Sequence, residues 1–343
     1  NRTDVVFLDS MVNLNEKELI TRTGEKVETQ RLYDGRWAFV AENIPALSSE
    51  VYQIVSKKKS SRRFVSMIAE NKILNNGIVR VEIDEVKGTI SSFKRVGDSY
   101  EYASNSGLND YLYTGRYASD PQGIEQILNI RVLDDGAVAA TLRIESKAPG
   151  CNTLWRDVTV YKGIDRVDIC NTLDKQDILD FENVRFVFPF NIQQPEITMD
   201  LAMSEIHPER EQLEGVNKHY YSLQNGLAVG DLEHAVCLTT VDAPFVELGS
   251  PSGLDYRLNP RHGYGWWQSA KISPIVYSWV MTNTWRTNYK ASQGGTAKFR
   301  YSLQPCNPLD LKLKQRGAER EMELVAVASR SSQNIEQLFR LKG

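Results

Sequence analysis

The sequence predicts an all-β protein, and three observations carry that class. Apolar residues recur at every second position along most of the chain, turn residues separate the alternating stretches, and segments with helical spacing are few. Val79-Arg80-Val81-Glu82-Ile83-Asp84 shows the pattern at its clearest: each second residue is apolar, as a strand with one buried face requires.

The elements follow in chain order. Strand patterns at Val5 to Leu8 and Trp37 to Val40, with a turn at Pro45, make up a first unit. The run Ser56-Lys57-Lys58-Lys59-Ser60-Ser61-Arg62-Arg63 then marks a boundary. It reads either as a patch for an anionic ligand or as a solvated linker, and the linker is favoured because blocks of like charge sit poorly inside packed elements. Beyond Val79 to Asp84, the residues Leu128, Ile130 and Val132 alternate into an Asp134-Asp135-Gly136 turn. Val138, Ala140, Leu142 and Ile144 return on one face, which predicts a hairpin. Val158 and Val160 lead through a Lys162-Gly163 turn to Val167 and Ile169. Val184, Phe186 and Phe188 alternate into Pro189, and Ala235 to Leu238 and Pro274 to Met281 are apolar stretches of strand length. The best helix candidate is Ser331 to Leu341, where Ile335, Leu338 and Phe339 have i, i+3, i+4 spacing. No fixed-period repeat supports a solenoid or propeller.

Composition sets bounds on function. The 343 residues carry 41 Lys plus Arg against 44 Asp plus Glu, a net charge of -3, so no basic excess points to a nucleic-acid or membrane-surface partner. No apolar run approaches the roughly 18–20 residues of a membrane span. Four cysteines, Cys151, Cys170, Cys237 and Cys306, stand outside any metal-ligand spacing, are too few for a disulfide framework, and read as small core residues. The chain opens at Asn1 with neither an initiator Met nor a basic-then-apolar leader, and reads as part of a larger or processed protein. Its compartment stays open.

Motifs for chemistry are sparse. Histidine occurs four times, and only His207 has a carboxylate at i+2, Glu209, with Pro208 between them; a surface turn accounts for that spacing as well as a metal pair does. H-E-x-x-H, G-x-S-x-G and the phosphate-binding glycine loop are absent. Gly263 to Gly265 runs into Trp266-Trp267 without a third glycine. A pair of carboxylates could perform glycosidase chemistry, but Glu205, Glu209, Glu211 and Glu247 are four among 44 acidic residues and nothing singles out a pair. Aromatic residues beside polar ones are more informative. Tyr111, Tyr113 and Tyr117 lie in the polar stretch Asn105 to Asp120, and Trp266-Trp267 follow Arg261-His262-Gly263-Tyr264. Either group could stack on the C–H face of a sugar, and either could serve sheet packing.

Several stretches, taken together and in order, resemble the C-terminal β region of glycoside hydrolase family 38 α-mannosidases. They are Asn1-Arg2-Thr3-Asp4-Val5-Val6, Phe39 to Pro45, Leu74-Asn75-Asn76-Gly77-Ile78-Val79-Arg80-Val81 with the Gly88 turn and Ile90, Tyr161 to Ile169 with Asn171 and Leu173, Phe186 to Phe190, and Ser278 to Arg300 centred on Trp279 to Tyr289. The resemblance covers about residues 1–310. It implies a small β-sandwich over 1–60, a large mutarotase-like β-supersandwich over 61–310, and a C-terminal extension over 311–343 that packs on both. It also implies that the catalytic barrel and helical bundle of the same protein lie upstream as partners, with mannosides as the carbohydrate substrate and neither nucleic acid nor membrane involved. The family's retaining mechanism uses an aspartate nucleophile, a carboxylic acid and a zinc ion. No motif here matches those residues, so no catalytic or metal-binding residue is assigned, no cofactor is expected in this fragment, and zinc is expected in the catalytic domain. Asn109-Asp110-Tyr111-Leu112-Tyr113 looks like the family segment whose tyrosine reaches the sugar, which makes Tyr111, with Asn109, Asp110 and Tyr113, the candidate substrate-binding residues; packing is the competing role for Tyr111. The Asn-Asp pair departs from the smaller residues many members carry there.

The implied role is that of a non-catalytic β portion that supports the catalytic domain and completes its sugar cleft. A free-standing carbohydrate-binding module and a mutarotase-like epimerase are the alternatives. The epimerase needs a His acid and a carboxylate base, for which His207 or His262 with Glu247 are the candidates.

Overall fold

Strand alternation, read residue by residue, builds two sandwiches that share a wall. The computed structural model describes residues 1–9, 12–56, 64–70, 72–115, 120–251, 269–283 and 290–328. The first unit contains β1 (Arg2–Leu8), β2 (Lys17–Ile20), β3 (Lys26–Val27), β4 (Thr29–Arg31), β5 (Trp37–Ile44) and β6 (Gln53–Ser56). β1 pairs antiparallel with β5, and β5 with β4, while β2 lies between β3 and β6 in a second, three-stranded sheet. Val6, Leu8, Phe39 and Ala41 face Leu14 and Leu19 across this small core.

The run Val5-Val6-Phe7-Leu8 is apolar without alternation because the β1–β5 sheet is covered on both faces. On the second face Val5 and Ala38 pack against Val138, Ala139, Tyr161 and Ile164 of the large unit. Polar groups tighten the same junction. Gln30 Oε1 accepts from the Val138 and Ala139 N–H groups across it, and within the large unit Asn76 Nδ2 donates to the Tyr161 and Ile164 carbonyls and so fixes the turn that meets β1 and β5. Arg166 bridges Asp4 at 2.9 Å and Asp168 at 2.7 Å, and Arg2 reaches Asp4 at 2.6 Å, all but Arg2 largely buried.

The large unit follows with β7 (Ile68–Ala69), β8 (Ile73–Asn75), β9 (Val79–Ile83), β10 (Ile90–Arg95), β11 (Asp110–Thr114), β12 (Gln126–Asp135), β13 (Ala139–Lys147) and β14 (Cys151–Tyr161). Then come β15 (Val167–Lys175), β16 (Asn183–Pro189), β17 (Glu196–Leu201), β18 (Ser204–Ile206), β19 (Tyr221–Ser222) and β20 (Gly226–Gly230). β21 (Ala235–Thr240), β22 (Phe245–Leu248), β23 (Ile275–Thr282) and β24 (Gly295–Cys306) complete it. A nine-stranded sheet in the order β12-β13-β14-β15-β24-β21-β20-β17-β18 faces a five-stranded sheet ordered β11-β16-β23-β22-β19. Between them Phe186 and Phe188 of β16 meet Tyr301 of β24, with ring centroids 6.2 and 5.1 Å apart. The β10-β9-β8-β7 sheet adds Leu74, Val79, Val81, Ile83 and Phe93 to the same core.

The all-β class therefore holds, with a small sandwich ahead of a large one, and the strands read from alternation are present. Leu128 and Val132 differ in one respect. They lie on edge strand β12 and remain substantially exposed while Ile127 and Ile130 pack on the core, because register shifts at Ile127/Asn129 and Val132/Asp134 interrupt the alternation.

After β24, helix α1 (Leu313–Glu321) seats Leu313 on Ala228, Ala235, Cys237 and Cys306. Gly317 fits closely against Asn225, where an added Cβ would come within 2.1 Å of the Asn225 Cβ. The chain then returns to the small unit as β25 (Leu324–Val325), which pairs parallel with β1 through Val6↔Leu324 and Phe7↔Val325. The sequence gives no cue for α1, whose helical face carries little apolar surface beyond Leu313. The helix candidate at 331–341 lies outside the described residues, as do 57–63 of the basic run.

Candidate functional site

The stretch singled out in the sequence becomes β11, and its alternation decides what each side chain can touch. Tyr111 stands opposite Phe186 and Tyr113 opposite Val184, both on the core face, while Asp110, Leu112 and Thr114 turn outward beside Val187, Arg185 and Asn183. Tyr111 is 0% exposed, its hydroxyl donates to the Pro149 carbonyl at 2.6 Å, and its ring meets Phe186 edge-on. Burial pushes its phenol far up, with Cys151 adding to the effect. Strand alternation therefore puts the Tyr111 hydroxyl in the inter-sheet core, where its partner is the Pro149 carbonyl, the packing role weighed against sugar contact from the sequence. Asn109 is buried too, in a left-handed conformation with φ 62°, and exchanges two amide hydrogen bonds with Asn171 of β15, at 2.9 and 2.6 Å.

Asp110 and Tyr113 keep partial exposure. Burial raises the Asp110 carboxyl above its ordinary value, against the pull of the Arg156 charge. Arg156 is itself wholly enclosed; desolvation lowers it to about 10, and it donates to the Lys87 carbonyl at 2.9 Å and the Ser146 hydroxyl at 3.2 Å. Burial, with the neighbouring Glu182 carboxylate, raises the Tyr113 phenol. Glu182 is tied to Lys175 at 2.6 Å.

The outward face of the five-stranded sheet carries the densest polar and aromatic grouping. Arg185 donates to both carboxylate oxygens of Glu247, with both side chains 0% exposed, and its Nη1 reaches the Thr114 hydroxyl at 3.3 Å. The guanidinium lies 4.7 Å from the centre of the Trp279 ring. Tyr220 meets Trp279 and Phe245 edge-on at 6.0 and 5.8 Å, and Phe245 is 44% exposed. Burial holds the His219 imidazole below its ordinary value, while the Glu247 charge opposes that shift. Nearby, Lys218 pairs with Glu209 at 3.1 Å. Of this group Phe245 and Tyr220 reach the surface, so it offers a ligand aromatic edges and the Tyr220 hydroxyl, with the buried ion pair beneath them as support.

Arg185 and His219 did not emerge from sequence patterns. The signal for Arg185 was present: it interrupts the apolar run Val184 to Phe188 at an outward position. His207, by contrast, follows β18 in the opposite sheet, its Nδ1 3.2 Å from the Ile197 carbonyl, whereas Glu247 belongs to β22. Those two are not brought together. Glu209 engages Lys218 and the Ala270 N–H, so the H-x-E spacing forms no metal pair. Among the described residues, no three His, Cys, Asp or Glu side chains converge in a way that could hold a metal ion. Tyr117, His262, Gly263 to Gly265, Trp266, Trp267 and Trp285 to Tyr289 lie outside the described residues.

No family model and no curated protein matches the chain. Among solved structures, an α-mannosidase from Enterococcus faecalis V583 superposes on 94% of this chain and 42% of its own, at 12% identity and a TM-score of 0.67. A protein in the glycosyl hydrolase family 38 from Enterococcus faecalis matches over 93% and 42%, at 12% identity and a TM-score of 0.65. A galactose mutarotase-like protein from Lactobacillus casei is more distant, covering 68% of this chain and 99% of its own at 13% identity and a TM-score of 0.41. The first two likenesses establish a shared fold across both sandwiches. The chain spans less than half the length of those two structures.

Proposed function

We propose that this chain is the C-terminal β portion of an α-mannosidase-like glycoside hydrolase, which supports the catalytic domain and helps complete its sugar-binding cleft. The observation that carries the reading is the extent of the likeness. Both sandwiches, in their mutual arrangement, superpose on an α-mannosidase, yet account for 42% of it. A sugar-binding module grafted by chance would share one sandwich and not the pair. The catalytic acid, nucleophile and zinc belong, in this reading, to the part of the parent protein outside this chain.

Within the chain, Asp110 on the outward face of β11 and Tyr113 on its opposite face are the partly exposed polar candidates, each suited to border a sugar from its own side of the strand. Asn109 anchors the strand through its amide pair with Asn171, and Tyr111 through the packing of its ring on Phe186. The test is hydrolysis of an aryl α-mannoside in the presence of zinc. The isolated chain gives no turnover, whereas the chain joined to its parent's upstream region does; clear turnover by the isolated chain would refute the reading.

A second reading, a free-standing carbohydrate-binding module, is favoured by the half-exposed Phe245 beside Tyr220 and Trp279. It predicts saturable binding of mannose or mannobiose that weakens on Phe245→Ala. Flat calorimetric titrations at millimolar sugar count against it.

A further inference from the structure

Two buried thiols lie beneath the segment that enters α1. β21 and β24 are hydrogen-bonded neighbours in which Ala235 stands opposite Cys306 and Cys237 opposite Gln304. Cys237 and Cys306 are therefore diagonal neighbours on one face of the sheet. Their Sγ atoms are 3.2 Å apart, and the side chains are enclosed by Ala228, Ala235 and Leu313, with Leu311 against them. A disulfide is about 2.05 Å long, so the sulfurs need to approach by roughly 1.2 Å, which for a diagonal pair asks the two strands to draw together slightly. The other two cysteines lack such a partner among the described residues: Cys151 Sγ contacts the Tyr111 hydroxyl and Cys170 Sγ the Thr172 hydroxyl.

The pair is also chemically unequal. The two thiols share one hydrogen bond in which either can donate, so that one of them holds its proton less tightly than the other. The Arg316 and Arg95 charges lie on the side that favours thiolate at this pair, and the geometry of the two sulfurs is what joins them.

We propose that Cys237 and Cys306 are a modification site, forming an intramolecular disulfide when the protein meets a small peroxide. With hydrogen peroxide, the Cys306 thiolate sulfur attacks one oxygen. The S–O bond forms, the O–O bond breaks, and the departing hydroxide takes up the proton lost from Cys306 to become water. The sulfur has lost two electrons and is a sulfenic acid. The Cys237 sulfur then attacks it, the S–S bond forms, and the expelled hydroxide takes the Cys237 proton as the second water.

The experiment treats the full chain with hydrogen peroxide, alkylates the remaining thiols under denaturing conditions and maps the peptides. Thiols fall from the four the sequence carries to two, a peptide containing Cys237 is found joined to one containing Cys306, and dithiothreitol restores all four. Cys237→Ser abolishes the cross-link and leaves Cys306 as a dimedone-reactive sulfenic acid. Oxidation of Cys151 or Cys170 without a 237–306 cross-link overturns the proposal, as does a cross-link found only between two chains. The wild-type map decides the matter by itself if the variant fails to fold.

Discussion

Replacing Tyr111 with Phe separates a structural tyrosine from a sugar-contacting one. The ring has no exposed surface, so the substitution keeps its packing against Phe186 and deletes one hydrogen bond, that to the Pro149 carbonyl. The Pro149 carbonyl is half-exposed and can turn to water, so losing this bond costs about 0.5–1.5 kcal/mol. Cys151 Sγ, 3.6 Å from the hydroxyl, is a poor substitute partner. Tyr111→Ala should cost more, about 3–5 kcal/mol, since it also opens a cavity between the sheets. Urea unfolding followed by fluorescence measures both, as lowered midpoints at constant slope. Mannoside binding or turnover in the full-length parent should then be unchanged for Tyr111→Phe under conditions where it stays folded. A variant of wild-type stability whose sugar affinity has fallen tenfold would refute the inward placement of this side chain and restore it as a ligand.

Further outcomes follow from the charged groups. Glu247→Gln or Arg185→Met alone should destabilise by about 3–5 kcal/mol, because each strands a fully buried charge, while the double variant Arg185→Met/Glu247→Leu recovers much of that loss; a double-mutant cycle in urea checks this. Although burial acts to raise it, Asp4 is held below the ordinary carboxylate value by Arg166 and Arg2. It binds its proton more weakly folded than unfolded, so its contribution is present above the unfolded value and is lost as pH falls through the folded one. Asp4→Asn should flatten the acid limb of the stability curve and cost about 3 kcal/mol at neutral pH. His219 is lowered by burial, so below its ordinary value of about 6.5 the unfolded state takes up a proton that the folded state resists. Stability drops as pH falls into that range, and an NMR titration of the His219 ring should give a folded midpoint under 6.5; a midpoint above it would contradict the placement.

How much of this was legible depends on what a strand's two faces see. Where one face is buried, as in Val79 to Ile83 or the Val138 to Ile144 return strand, hydrophobic alternation displays the strand directly. Val5 to Leu8 loses alternation because both of its faces are covered, and sequence alone cannot say what covers the second. Tyr111 illustrates the limit for the site. Alternation from Asp110 to Thr114 is weak, since Tyr111, Leu112 and Tyr113 are all compatible with either face, and register is settled only by Phe186 and Val184 on a strand some seventy residues later. Arg185 and Glu247 are also far apart in sequence, on β16 and β22, and meet through β23 between them. α1 and β25 were hidden for a different reason. They are held by tertiary contacts of Leu313 and by pairing to β1, with little local preference to reveal them.

The wall shared by the two sandwiches bears on how the protein comes apart. Val5 and Ala38 serve the large unit while Val6 and Phe39, their neighbours in sequence, serve the small one, and β25 ties the wall to the far end of the described chain. The units drawn as 1–60 and 61–310 therefore share buried packing through Val5 and Ala38. Melting the small sandwich strips cover from Tyr161 and Ile164, and opening the large one bares Val5, so each loss weakens the other. Calorimetry should record one cooperative transition, and the excised segment 1–60 should lack one face of its own sheet.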